Sequence, residues 1–158
     1  MLLPYFEWIN NMAASRAINE SLWVYAVTQA LHLLFLAMLA GAVLVVDFRL
    51  LGRGFTQQPL ARVARDARPW LVWSLVGLLI TGVPQLMSNA LREYHSEFFW
   101  MKMYFLAAAL VFTFTIRHKV TQTDEARIGS MWRKVVGLAS IVLWSGVAIP
   151  ARLIGLFT

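Results

Sequence analysis

The chain has 158 residues, 59% of them hydrophobic and 14% charged, and since soluble domains carry about 25% charged residues this excludes an ordinary soluble domain. Lys and Arg number 14 against 8 Asp and Glu, and ten of the basic residues lie in two short stretches, a pattern that indicates membrane topology and not nucleic-acid binding. The absence of cysteine excludes disulfides, thiolate metal sites and iron–sulfur clusters.

Residues 1–20 predict a short helix lying at the membrane interface. Its apolar residues recur at helical spacing: Leu2, Leu3, Phe6 and Ile9. Tyr5 and Trp8 are suited to anchor such a helix among lipid headgroups. The segment lacks a basic start and a continuous apolar run, so we expect no cleavable signal peptide.

Four apolar segments follow, at about 22–47, 70–90, 98–117 and 135–157. Each is close to the roughly 20 residues that a transmembrane helix needs. Because lipid cannot satisfy backbone polar groups and no period-2 alternation occurs, these segments are helices and not barrel strands. The sequence predicts one all-α membrane domain, 1–158, with four transmembrane helices in a bundle.

Basic residues in the connecting stretches predict the orientation. The stretch between the first two spans holds Arg49, Arg53, Arg62, Arg65 and Arg68. The stretch between the last two holds Arg117, Lys119, Arg127, Arg133 and Lys134. The opposite side holds only Arg16, Arg92, Lys102 and Arg152. By the positive-inside rule both basic stretches are cytoplasmic and both termini are outside.

The second and fourth spans each contain a glycine and a proline in their outer halves: Gly82 and Pro84, then Gly146 and Pro150. Proline is frequent in membrane helices and such pairs need no special role. The alternative is a faint two-hairpin repeat whose kinked halves open a cavity on the outer side.

His32 is the most informative residue, because it lies inside the first apolar span. A charged side chain at that depth costs roughly 2.5 kcal/mol or more, so it is expected to face the protein interior. It shares one helix face with three polar residues: Tyr25, Thr28 and Gln29. Three interpretations stay open: a hydrogen bond between helices, a cofactor or metal ligand, or part of a proton or substrate pathway.

If His32 binds a cofactor, haem b fits best, since neutral imidazole is its usual axial ligand and helix bundles hold haem between facing helices. Lys102 and Arg152, with Arg92, are the cations expected near the outer face for the haem propionates, and Gln29 lies one turn from His32. Snorkelling to the outer headgroups is the alternative for each cation.

The other histidines, His95 and His118, are the remaining predicted metal ligands. Counted from the outer ends of their helices, His118 and His32 differ in depth by roughly 16 Å, so they are not expected to share one iron. His95 is closer in depth and is one possible second ligand, as are Met87, Met101 and Met103. Glu93, His95 and Glu97 in the outer loop suit zinc or copper(II), or form an ordinary solvated loop.

Asp47 closes the first span at its cytoplasmic edge, at the level of Arg117 and Arg133. An ion pair holding the helix ends together is the favoured interpretation, and a proton relay is the alternative. No nucleophile–base pair, phosphate loop or hydrolase motif is present.

Several short motifs resemble a group of small bacterial four-helix membrane proteins of unknown function. They are Glu20–Trp23, His32, Asp47–Gly52, Pro69–Trp70, Thr81–Gly82, Phe99 to Lys102, and His118. More distantly, the layout resembles copper-resistance D membrane domains and small b-type cytochromes. The resemblance implies that His32, Asp47, Lys102 and His118 matter to function.

We therefore expect an all-α protein of the bacterial inner membrane that binds haem b and transfers electrons, or the membrane subunit of a redox complex. We expect an electron carrier or subunit rather than a stand-alone enzyme, and the sequence leaves catalysis open. The alternatives are a copper-handling protein with His32, His95 and methionines along its path, and a structural subunit of a larger complex. Expected partners are the lipid bilayer, a redox partner or larger membrane complex and a second copy of the chain, but not nucleic acid.

Overall fold

The computed structural model describes residues 3–13, 15 and 21–157, and every regular element in these residues is helical. The helices are α1 (Leu3–Asn10), α2 (Leu22–Leu50), α3 (Leu60–Ser88), α4 (Ala90–Tyr94), α5 (Glu97–Phe112), α6 (His118–Gln122) and α7 (Ser130–Phe157). A π-helical turn, Thr113–Arg117, joins α5 to α6 in one continuous segment. The predicted roles of Leu2, Arg16 and Glu20 fall outside the described residues.

Among the described residues, four helices are long and apolar enough to cross a membrane: Trp23–Leu50, Leu60–Ser88, Glu97–Gln122 and Ser130–Ile154. This confirms the prediction of an all-helical chain with four such helices. Helix α1 matches the predicted N-terminal helix, and both Tyr5 and Trp8 are exposed on it.

Helix α3 begins ten residues before the predicted span, so Pro69 and Trp70 lie within it and not at its start. Its first turns are amphipathic: Leu60, Val63 and Ala67 are buried. The basic residues Arg62, Arg65 and Arg68 point away from that face and are exposed. The predicted cytoplasmic stretch is therefore largely helix, because one side of it packs into the core while the other stays polar.

The long helices associate in two pairs, α2 with α3 and α5 with α7. In each pair a phenylalanine of the first helix packs on a glycine of the second. A Cβ at Gly77 would lie 2.5 Å from ring carbons of Phe35, and a Cβ at Gly146 would overlap the Phe105 ring. Both glycines therefore permit the close approach of their helix pair.

The two pairs meet at the end of the molecule that carries the loops 51–59 and 123–129, called the basic end below. There the fully buried Asp47 of α2 accepts hydrogen bonds from Arg117 Nε at 2.9 Å and from Ser140 Oγ of α7 at 2.8 Å. Arg117 Nη2 also donates to the Val43 carbonyl at 2.9 Å. The predicted ion pair of Asp47 is confirmed with Arg117.

The alternative partner of Asp47, Arg133, instead pairs with Glu125 in the loop before α7. Glu125 Oε2 accepts from Arg133 Nη1 at 2.7 Å, and Oε1 accepts from Arg49 Nη2 at 2.7 Å. Oε1 also accepts the backbone N–H of Leu60 at 2.7 Å, at the N-terminus of α3, where Pro59 supplies no side-chain cap. One carboxylate thus connects both loops of the basic end and satisfies a helix-terminal donor.

Replacement of Asp47 by Asn is expected to destabilise the protein strongly, because Arg117 would keep a buried charge without its counter-charge. Breaking one partner of a buried pair costs about 3–5 kcal/mol. Thermal unfolding of the full chain in detergent measures the effect, with Asp66→Asn, an exposed carboxylate on α3, as the matched control. Equal destabilisation by the two variants would contradict the proposed anchoring role of Asp47.

Glu125 is expected to make stability depend on pH. Burial raises the pKa of this carboxyl, but hydrogen bonds from Leu60 and Arg49 and the charges of Arg49 and Arg133 outweigh it and hold the pKa below its ordinary value. As the pH falls, the Glu125 carboxylate is therefore protonated in the unfolded chain before it is protonated in the folded chain. Its stabilisation is fully present above the ordinary carboxyl pKa and is lost as the pH falls through the lowered pKa of the folded state.

Unfolding midpoints measured from neutral to acidic pH should fall less steeply for Glu125→Gln than for the parent chain. The control is Glu7→Gln, which changes an exposed carboxylate on α1. Parallel pH curves for the parent and Glu125→Gln would show that this carboxylate does not contribute.

Candidate functional site

His32 lies between α2 and α3, where its ring meets Thr81 and Gly82. The imidazole Nδ1 is 2.9 Å from the Thr81 hydroxyl. A Cβ at Gly82 would lie 3.4 Å from the ring carbon Cε1. Threonine therefore binds one edge of the half-buried ring, and glycine leaves the space that the ring occupies.

The hydrogen bonds of Thr81 indicate which ring nitrogen of His32 carries the proton. The Thr81 hydroxyl donates its one hydrogen to the Gly77 carbonyl at 2.7 Å. It must therefore accept from His32, so we assign the proton to Nδ1. In the neutral ring Nε2 then carries the lone pair, which is the atom that binds metals or accepts protons.

Lys102 on α5 lies at the same depth as His32. Fifteen residues separate His32 from Asp47 along α2, and fifteen separate Lys102 on α5 from Arg117 in the π turn. At 1.5 Å per residue both lie roughly 22 Å from the buried ion pair.

The ammonium of Lys102 has one acidic and one aromatic neighbour. Its Nζ is 4.0 Å from Glu93 Oε2 and 5.0 Å from the centre of the Phe99 ring. Burial raises the pKa of Glu93 above its ordinary value, and the charge of Lys102 offsets part of that rise. Because 4.0 Å is longer than a charge-assisted hydrogen bond, Lys102 can still bind an anion at closer range.

Four aromatic residues at the end opposite the basic end pack over this region, and they are named here the aromatic cover: Phe6, Tyr94, Phe99 and Trp100. The Phe6 ring of α1 is 5.0 Å from Tyr94 and 6.2 Å from Phe99, centre to centre. Trp100 Nε1 donates to the Tyr94 carbonyl at 3.0 Å. The aromatic cover thus joins α1 and α4 to the start of α5, close to Glu93 and Lys102, whose side chains are partly buried.

Gln85 lies one turn beyond Thr81 on α3, and its amide Nε2 is buried without a hydrogen-bond partner. An unpaired buried donor is costly, by about 1–3 kcal/mol, and it calls for an acceptor that the protein does not supply. The sequence places Gln85 on the same helix face as Thr81.

The other predicted site residues are dispersed. Gln29 is half-buried one turn before His32, and Arg152 is exposed on α7. His95 is exposed, with Nδ1 2.8 Å from the Leu91 carbonyl. His118 is exposed on α6 beside Arg117, at the basic end and so far from His32.

Among the residues that the structure describes, no three or more His, Asp or Glu side chains form a group that could hold a metal ion. Glu93, His95 and Glu97 therefore do not form the cluster that their spacing suggested. His32, His95 and His118 do not form one either. The interhelical hydrogen bond that was one of three interpretations of His32 is present. The bond uses Nδ1, so Nε2 could still bind a ligand.

The fold and site define an all-helical protein with four membrane-length helices and a histidine–lysine pair at one depth between them. The chain belongs to a family of unknown function, DUF6644, whose model matches residues 5–157. This confirms the resemblance to an uncharacterised four-helix family. Comparison with curated proteins and with solved structures found no match, so the likeness to copper-resistance D domains and b-type cytochromes gains no support.

In Thr81→Val the Nδ1-protonated tautomer of His32 is expected to lose its preference, because valine cannot accept the hydrogen bond from Nδ1. Nitrogen-15 NMR of the imidazole should show a protonated Nδ1 and an unprotonated Nε2 in the parent chain. Thr81→Ser, which keeps the hydroxyl, should preserve this pattern, whereas the valine variant should give mixed tautomers. A protonated Nε2 in the parent chain would refute the assignment.

Proposed function

We propose that this protein binds haem b through Nε2 of His32 and transfers electrons in the bacterial inner membrane, alone or as a subunit of a redox complex. The observation that carries the proposal is the hydrogen-bond chain from His32 through Thr81 to Gly77. Histidines that bind metals commonly donate their other ring N–H to a protein oxygen, which orients the ring and raises its basicity.

The neighbouring side chains supply donors for an anionic cofactor. Lys102 lies at the depth of His32 and would bind a propionate, with the unpaired amide of Gln85 as a further donor. Gln29 lies one turn away on α2, and exposed Arg152 is an outlying cation of the same half. Haem, when bound, supplies one-electron redox chemistry.

The chain's own residues have distinct tasks in this proposal. Thr81 holds the imidazole plane, and the small Gly82 leaves room for it. Glu93 partly neutralises Lys102 at 4.0 Å, so that an ammonium is tolerated at this depth. The aromatic cover lowers the water content around Glu93 and Lys102, and in these less polar surroundings the Lys102 ammonium attracts an anion more strongly.

We further propose that the basic end faces the cytoplasm and that both termini lie on the periplasmic side. Seven of the ten basic residues at this end are exposed and take no part in the ion pairs described above: Arg53, Arg62, Arg65, Arg68, Lys119, Arg127 and Lys134. An excess of such residues on short connections orients membrane helices with that side inward.

The proposal predicts a b-type absorption spectrum. The full chain is purified in detergent from cells supplied with a haem precursor, and spectra are recorded oxidised and after dithionite reduction. A Soret band with sharp reduced α and β bands is expected, lost in His32→Ala and retained in His118→Ala, the matched control at the basic end. A flat spectrum in folded protein would overturn the proposal.

Lys102→Gln tests the propionate role separately. Loss of a nearby positive charge favours the oxidised iron, so the midpoint potential should fall and haem should dissociate more readily. Lys119→Gln, which removes an exposed lysine at the basic end, should leave both unchanged. An unchanged potential and haem content in Lys102→Gln would exclude this role.

A further inference from the structure

A second concave site lies at the basic end, far from His32 and independent of the function proposed there. It is a half-open cavity of 50 Å³ between α3 and the segment formed by the π turn and α6, with α2 behind it. By the same measure a single water needs about 10–15 Å³, so the cavity holds roughly three to five small groups. That matches the heavy atoms of one phosphodiester.

The lining of this cavity changes character along the helix axis. Towards the basic end it is polar, with Arg68 of α3 and His118 and Gln122 of α6. Towards the middle of the membrane it is mostly apolar, with Leu71 of α3 and the exposed Phe114 of the π turn beside the single hydroxyl of Thr113. A ligand that follows this lining has a polar head at the membrane surface and an apolar tail beside it.

The charge of the site is positive. Arg68 is exposed, and none of the ion pairs between described residues involves it. Arg117 also lines the cavity, but Asp47 neutralises its charge from behind. No carboxylate occurs among the described residues that line the cavity. The uncompensated guanidinium of Arg68 is therefore suited to a phosphate, which arginine binds in bidentate geometry.

We propose that this cavity binds the phosphate of an anionic phospholipid of the surrounding leaflet. Arg68 binds the phosphate oxygens, and His118 and Gln122 donate to the headgroup from α6. The acyl chain runs along Leu71 and Phe114 towards the membrane interior. The lipid thereby bridges α3, of one helix pair, and α6, which continues α5 of the other pair.

The full chain in dodecyl maltoside is titrated with dioleoylphosphatidylglycerol and, separately, with dioleoylphosphatidylcholine, and bound lipid is counted by native mass spectrometry. Phosphatidylglycerol is expected to bind at one preferred site, and Arg68→Gln should weaken it about tenfold, as loss of a charge-assisted contact does. Arg65→Gln removes an equal exposed charge from the same helix but does not line the cavity. It should leave this preferred binding unchanged.

Equal weakening by Arg65→Gln and Arg68→Gln would overturn the proposal, because it would show general attraction to the basic surface. Equal binding of the two lipids would overturn it as well. Inorganic phosphate is added as a competitor: displacement of the lipid at millimolar phosphate would indicate a free-anion site and also count against a lipid. Arg68→Lys keeps the charge but loses the planar fork, so intermediate affinity supports phosphate binding by Arg68.

Discussion

The buried ion pair of Asp47 and Arg117 holds the two helix pairs together at the basic end. A carboxylate with no exposed surface is tolerated only when its lone pairs are satisfied, and here Arg117 and Ser140 satisfy them. Val43 completes the arrangement by accepting from the same guanidinium. Because these groups come from α2, the π turn and α7, one polar cluster joins helix pairs that otherwise meet mainly through apolar side chains.

This ion pair also determines which residues lie at the same depth in the other half of the molecule. With α2 and the α5 segment aligned at Asp47 and Arg117, His32 and Lys102 arrive at one depth, each fifteen residues away. The α2–α3 contact then brings Thr81 to the imidazole. The axial alignment of the helices at the structural ion pair thus also sets the depths of the residues in the candidate haem site.

Much of this arrangement could be predicted from the sequence, because apolar length and the scarcity of charge identify membrane helices directly. The partner of Asp47 could be narrowed to Arg117 and Arg133, because few basic residues lie at its depth. The start of α3 was not, since Arg62 to Pro69 has the composition of a loop and becomes helix only by burying Leu60 and Val63. Nor was Glu125, whose partner Leu60 is 65 residues away and whose role depends on how two loops meet. Thr81 was one of several polar residues that could reach His32. The rotation of each helix about its own axis decides which of them does, and this rotation cannot be predicted from a helix that is apolar on all sides.

The π turn has a consequence for how this helix can vary. A π turn accommodates one extra residue and so shifts the angular phase of everything that follows it. Upstream of it the helix turns Lys102 towards the interior of one half, and downstream it turns Arg117 towards Asp47 while His118 stays outside. The two halves of one continuous helix therefore have different angular phases, and each half presents its own basic residue to the interior: Lys102 before the turn and Arg117 after it.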